Sequence, residues 1–270
     1  KTRVFDIDDR LVKSLGDKGA IPISEIKNFD PNINLVIFML PNGKIVKQLF
    51  HEIIPFIKDG RKINFIDCST IDYNTTCELS EIASRKDCCF LDAPVSGGVT
   101  GAKDGKLTFM VGGNEDFFDR VYSILKCMGN KVIYVGKSGS GQAVKACNNM
   151  LLGINMIALG EAFTLADKLG IDPKVFYNVS SSATGSSWAM LNHLPVPGIV
   201  ETSASNSGFK GGFKSLMMNK DLKLAQDAAL SVGLTTPLGA KASKLYDEFC
   251  ELGLEELDYS EIIKLIDKKY

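Results

Sequence analysis

Three side chains at helical spacing, Lys145, Asn148 and Asn149, are the residues of this 270-residue chain best suited to moving a proton. Positions i, i+3 and i+4 share one face of a helix, so the three are expected to project together. A lysine drawn into a cleft, or set near a second cation, can titrate close to working pH. It can then take the proton of a substrate hydroxyl as hydride leaves the adjacent carbon, and return it in the reverse direction. An asparagine one turn away can orient both the amine and the substrate. Asparagine is a mediocre helix former, so two of them beside Met150-Leu151-Leu152 carry a cost that bonds to a ligand would offset. Without a ligand they form a polar stripe on a buried helix. Lys220, in Asn219-Lys220-Asp221-Leu222, is the second cation candidate, or else a surface lysine paired with an acid.

A second pattern suits anion binding. The run Phe90-Leu91-Asp92-Ala93-Pro94-Val95-Ser96-Gly97-Gly98 ends an apolar strand on a proline, a hydroxyl and two glycines. Glycine reaches dihedrals closed to other residues and lets the backbone approach a ligand. Successive N–H groups in such a turn can converge on an anion. Read alone, the run is also a glycine-rich connection to the next strand, at 107–111.

The elements that must position these groups fall into two halves. Residues 1–138 alternate strand signals (3–7, 35–40, 63–68, 89–93, 107–111, 132–135) with amphipathic stretches of helical length (9–18, 43–58, 72–86, 115–128). This alternation predicts βαβ units and a mostly parallel, Rossmann-like sheet. From 139 to 270 the pattern is all-α. A long helix over 141–169 stops at Gly170, Asp172-Pro173 signals the next start, and further helices are expected at 174–181, 213–232, 238–252 and 260–268. The segment 182–212, rich in Pro, Gly, Ser and Asn, is longer than packing requires and is expected to be a functional loop.

Composition narrows the function. Hydrophobic residues make up 45% and charged residues 23%, with a net charge of −1, which offers no footprint for nucleic acid or an anionic membrane. No uninterrupted apolar run reaches the roughly 18–20 residues that span a bilayer. Residues 150–159 come nearest and, broken by Gly153 and Asn155, read as a buried helix. Seven cysteines without a C-x-x-C pair suggest free thiols in a reducing compartment, and two distant histidines argue against a metal site.

In a dinucleotide-binding fold an acid ending the second strand bonds the ribose hydroxyls, a role that Asp6 would fill at the end of the first strand seen here. The first strand and its G-x-G-x-x-G turn should precede that acid by about 20 residues. Gly139-Ser140-Gly141 cannot replace them, because the third glycine position is Val144 and no strand with a terminal acid follows. The expectation is therefore that roughly 30 residues, one βα unit, are missing before Lys1, leaving sheet neighbours unpaired and dinucleotide binding by this chain weak.

These motifs together resemble the β-hydroxyacid dehydrogenase family. The resemblance rests on 92–98, on Gly105 with 107–113, on Gly141-Gln142-x-x-Lys145-x-x-Asn148-Asn149 and on Lys220-Asp221-Leu222. Met39-Leu40-Pro41, residues 67–72, 181–188, Pro195-Val196-Pro197-Gly198 and Gly211-Gly212-Phe213 extend it over nearly the whole chain. It implies that Lys145 is the catalytic acid/base, that Ser96, Gly97 and Gly98 hold a substrate carboxylate and that Asn149 steadies the reacting hydroxyl. Leu40 and Pro41 would line the cofactor, Thr70 would sit near the nicotinamide ribose, and Lys220 would contact cofactor and substrate. Phe213 and Trp188 would wall the cleft. Ile7 stands where relatives that use NADP often carry arginine, and Asp6 would repel a 2′-phosphate, so NAD is the expected cofactor. The implied reaction is oxidation of 3-hydroxyisobutyrate to methylmalonate semialdehyde, with another short β-hydroxyacid such as tartronate semialdehyde, or an inactive truncated product, as alternatives. A homodimer or homotetramer is implied, in the mitochondrial matrix of a eukaryote or the cytoplasm of a bacterium.

Overall fold

A computed structural model describes residues 2–26, 32–57 and 62–269. The chain forms two compact units. The first comprises Lys1–Val95, Phe109–Lys126 and Val132–Gln142, and the second Ser96–Thr108, Cys127–Lys131 and Ala143–Tyr270.

Strand and helix alternate through the first half, as the sequence pattern predicts. The order is β1 (Arg3–Val4), α1 (Asp9–Gly16), β2 (Ile21–Pro22), β3 (Leu35–Phe38), α2 (Gly43–Ile53), β4 (Asn64–Asp67), α3 (Tyr73–Ser84) and β5 (Phe90–Asp92). Then come β6 (Val95–Ser96), α4 (Gly98–Lys103), β7 (Leu107–Gly112), α5 (Glu115–Lys126) and β8 (Gly129–Gly136). The described strands of the main sheet run in the order β3-β4-β5-β7-β6, with β8 on β7. β3, β4 and β5 are parallel, in the register Phe38↔Asp67↔Asp92, and Asp92 meets Gly112 of antiparallel β7. Parallel strands covered on both faces need apolar side chains on both faces. Phe65 and Phe90, register partners, supply one face, with the Phe50 ring of α2 4.8 Å from Phe65 and 5.9 Å from Phe90, and the alternate pair Ile66 and Leu91, both fully buried, supplies the other. Polar caps then turn the chain from strand into helix: Asn42 accepts the Ile45 N–H and Asp72 the Thr75 N–H.

The first strand is shorter than expected. It ends at Val4, because Asp6 accepts the Asp8 N–H and Asp8 in turn caps α1, converting 5–8 into a turn. Among the described residues β1 pairs with β2 alone, in a separate two-stranded parallel sheet.

The second half is helical: α6 (Ser140–Lys168), α7 (Pro173–Ser180), α8 (Trp188–Asn192), α9 (Ser215–Ser231) and α10 (Pro237–Phe249). The Asp172 cap and Pro173 start are where the sequence places them, and Gly170 takes the left-handed conformation after α6. Two expectations change. The 182–212 segment is not a plain loop, since it contains α8 and a 3-10 turn at Ala204–Ser207. The last expected helix is a 3-10 segment, Tyr259–Leu265, with Asp258 accepting the Ser260 N–H at its start. The core gathers Met156 and Phe163 of α6, Met218 and Leu222 of α9, and Tyr246 and Phe249 of α10, all fully buried.

By length and mean hydropathy alone α6 is long and apolar enough to cross a membrane, although no uninterrupted apolar run in it is, and half of its most apolar window is buried. Its buried Lys145 and Asn149, and its packing on α9, give it the character of a core helix.

The first turn of α6 is held in the first unit. The Asp92 carboxylate, fully buried, accepts N–H groups from Gly139 at 2.8 Å and Gln142 at 3.0 Å. Burial raises the Asp92 pKa, against the pull of those donors. Gly141 allows this approach. A Cβ there would fall on the Met110 carbonyl, 2.7 Å from the Asp92 carbonyl and 2.8 Å from its carboxylate. Gly→Ala in a helix ordinarily stabilises by about 1 kcal/mol. Gly141→Ala is expected to do the opposite, lowering stability by about 1–3 kcal/mol in a denaturant melt, because only backbone and a buried acid surround it. Gly153→Ala, where the nearest atoms belong to the side chains of Leu222 and Met218, is expected to cost less.

Candidate active site

In the second unit, Lys145 and Asn149 lie one turn apart on α6, with exposures of only 7% and 1%. Gly153, one turn further on, brings α9 close, since a Cβ there would touch Leu222 at 3.1 Å. That approach carries Asp221 to Asn149, whose Nδ2 donates to the Asp221 carboxylate. Lys220 Nζ lies 3.2 Å from the same carboxylate. Asn148 is exposed, contrary to the expected shared face, and its Nδ2 donates to Asn149 Oδ1 at 3.0 Å. Position i+3 has rotated to the solvent edge while i+4 stays inside. Asn149 is thereby held at both ends of its amide.

The Lys145 pKa lies below the ordinary lysine value. Burial is the main cause, the Lys220 ammonium adds to it, and Asp221 opposes both. The arrangement is a buried amine flanked by one cation and one anion. Its proton affinity is adjustable by either neighbour.

The expected carboxylate clamp is a half-buried Ser96 followed by exposed Gly97 and Gly98, with φ of 130° and 61°. No atom lies within 4 Å of a Cβ built on Gly98, so the turn faces open space. The expected connection to β7 is instead the short helix α4.

The two aromatic candidates are linked through two residues, His193 and Asp258. Trp188 is 60% exposed and its ring stacks 6.5 Å from His193. His193 Nε2 lies 3.0 Å from both carboxylate oxygens of fully buried Asp258. The same carboxylate accepts the Phe213 N–H at 2.7 Å, and the half-buried Phe213 ring packs edge-on to Tyr259 at 5.7 Å. Gly212 has φ of 70° because the Asp258 carboxylate occupies the place of a Cβ.

In the first unit, the carboxyl ends of parallel β3 and β4 carry the expected cofactor loops, where open α/β sheets bind ligands. Ser69 ties them together, its Oγ accepting the Leu40 N–H at 2.8 Å and its own N–H donating to Asp67 at 2.9 Å. Pro41 is exposed and Thr70 half-buried beside this link. Asp6, expected at the end of a sheet strand, sits in the exposed turn after β1. Loops at the carboxyl ends of parallel strands, with an exposed carboxylate able to accept ribose hydroxyls, fit a dinucleotide.

Asp221, Asp258, Ser69 and Gln142 were not legible as site residues. Asp221 had one signal, its place directly after Lys220. The other three act through partners 29 to 73 residues away.

Residues 1–136 match the family model described as the NAD binding domain of 6-phosphogluconate dehydrogenase. Residues 139–266 match the one described as the NAD-binding domain of NADP-dependent 3-hydroxyisobutyrate dehydrogenase. The chain is 41% identical to mitochondrial 3-hydroxyisobutyrate dehydrogenase of Drosophila melanogaster over all of its own length and 83% of the relative's. It is 37% identical to the human mitochondrial enzyme, covering 97% of this chain and 79% of that one. The solved structure of Mycobacterium tuberculosis 3-hydroxyisobutyrate dehydrogenase with L-serine superposes with a TM-score of 0.92 at 38% identity, covering 98% of this chain and 90% of that one. The chain belongs to the 3-hydroxyisobutyrate dehydrogenase family and is an NAD-dependent hydroxyacid dehydrogenase.

Proposed function

We propose that the chain oxidises 3-hydroxyisobutyrate to methylmalonate semialdehyde, a step of valine catabolism, with Lys145 as the proton acceptor. The observation that carries this reading is the buried amine of Lys145 beside Asn149, Asp221 and Lys220, with its proton affinity lowered by burial. NAD, when bound, supplies the hydride acceptor. Leu40, Pro41, Thr70, Asp6, Phe213 and Lys220 are the residues proposed to hold it.

The chain's own residues then account for the proton and the anion. As the substrate's C3–H leaves as hydride, its O–H proton passes to Lys145 Nζ and the C–O bond becomes a carbonyl. Asn149, fixed by Asp221 and Asn148, orients the hydroxyl toward that nitrogen. The Ser96 hydroxyl and the backbone of Gly97 and Gly98 hold the carboxylate, and Trp188 walls the substrate. L-serine, bound in the solved mycobacterial relative, has the same 3-hydroxy-carboxylate skeleton, which supports this substrate class. Tartronate semialdehyde and other short β-hydroxyacids remain the comparison substrates.

The assembly is proposed to be a homodimer or homotetramer. Apolar surface on α6 and α7 (Leu151, Leu165, Val175 and Val179, each more than half exposed) supports self-association. The names of the fly and human relatives support the mitochondrial matrix if the source is eukaryotic. The cytoplasm is proposed if it is bacterial.

Lys145→Ala in the full-length protein is expected to lower turnover by about 10²–10⁴-fold. NADH affinity, read by fluorescence titration, should stay close to that of the parent. Near-normal turnover would remove Lys145 from the mechanism.

The neighbours of Lys145 make a second, signed prediction. Oxidation needs the neutral amine, so kcat/KM should rise with pH through the Lys145 titration and then level off. Asp221→Asn removes the charge that favours the ammonium, and the rise should move to lower pH. Lys220→Gln removes the charge that disfavours it, and the rise should move to higher pH. Shifts in the same direction for both variants would show that another group controls the profile.

A further inference from the structure

Gln142 is a buried amide, 2% exposed, that the chemistry above does not use. Its Nε2 donates to the Ser69 carbonyl at 2.8 Å, and its Oε1 accepts the Ile71 N–H at 3.2 Å. The two groups flank Thr70. A single side chain therefore pairs with the backbone on both sides of one residue, as an adjacent strand would. Ser69 extends the link, because its hydroxyl accepts the Leu40 N–H. Loops 40–41 and 69–71, from the ends of β3 and β4, are thus joined to the first turn of α6. Gln142 is itself immobilised, with its N–H on the Asp92 carboxylate and Gly141 packed against Met110 before it.

Burying a primary amide is costly unless both of its ends are bonded, and an apolar side chain of similar size would fill the same space more cheaply. What the amide supplies is direction. It fixes the peptide groups around Thr70 in one orientation, and an apolar side chain cannot.

We propose that Gln142 is a positioning residue for the cofactor, holding the Ser69–Ile71 backbone, and with it Thr70 and Leu40, in the geometry that receives the nicotinamide ribose. This rests on the reading that these loops bind NAD. Gln142 acts through the loop and does not touch the cofactor. It sits on the same helix as Lys145, three residues before it, so one element carries both the proton acceptor and the clamp on the cofactor loop.

The test is equilibrium binding of NADH to the full-length protein, by fluorescence titration, for the parent, Gln142→Met and Gln142→Glu. Methionine matches the size and loses both bonds. Glutamate keeps the acceptor for Ile71 and loses the donor to Ser69. The dissociation constant is expected to rise about tenfold for Gln142→Met, the equivalent of roughly one hydrogen bond's worth of positioning, and by at least as much for Gln142→Glu, whose buried carboxylate faces the Ser69 carbonyl. In steady state, KM for NAD should rise with kcat largely kept. An NADH affinity within about twofold of the parent in both variants, even with a lower melting temperature, would reduce Gln142 to a structural role and overturn the proposal. Should Gln142→Met fail to fold, Gln142→Glu decides alone by the same criterion. Failure of the parent itself to bind NADH would overturn the cofactor reading, a result distinct from equal binding by parent and variants.

Discussion

A single buried carboxylate, Asp92, holds the first turn of α6 on the sheet of the first unit. It ends β5, accepts the N–H groups of Gly139 and Gln142, and so closes the start of a 29-residue helix. The free N–H groups of a helix start favour an anion. Burial alone would disfavour it, and the raised Asp92 pKa records that contest. Because Gly141 and Gly112 have no side chains, the sheet end and the helix start share space that a Cβ would fill. Gln142, the last residue of that turn in the first unit, inherits this fixed origin.

Around Lys145 the important quantity is balance. Burial and Lys220 push the ammonium toward its neutral form, while Asp221 pulls it back. Removing Asp221 would lower the amine's proton affinity further, and removing Lys220 would raise it. Asn149 occupies one Asp221 oxygen and Lys220 approaches the other, so the carboxylate's charge is shared among three partners.

Asp258 plays a parallel part in the second unit. Its carboxylate serves His193, the Phe213 N–H, and both the backbone and hydroxyl of Ser260. It fixes the conformation of Gly212-Phe213 and, through His193, backs the Trp188 ring. Three buried acids thus organise three parts of the machinery, and none of them is the proton acceptor.

The sequence by itself determined the alternating and helical halves, the long helix, its Gly170 stop and the Asp172-Pro173 restart, because periodicity and caps are local properties. It also determined the candidates Lys145, Asn149, the Ser96-Gly97-Gly98 turn and the loops at Leu40 and Thr70, through motif spacing and family likeness. Only the tertiary structure decided that β1 stops at Val4 and pairs apart from the main sheet, since strand ends depend on partners. It alone separated Asn149 from Asn148, because helical spacing offers both and packing on α9 chooses one. It alone revealed what Gln142 and Asp92, already part of the motifs, and Asp258 bond to, with partners up to 73 positions away. A hydrogen-bond partner that distant leaves no trace in local pattern, and a buried polar side chain declares its purpose only when its partners are in place.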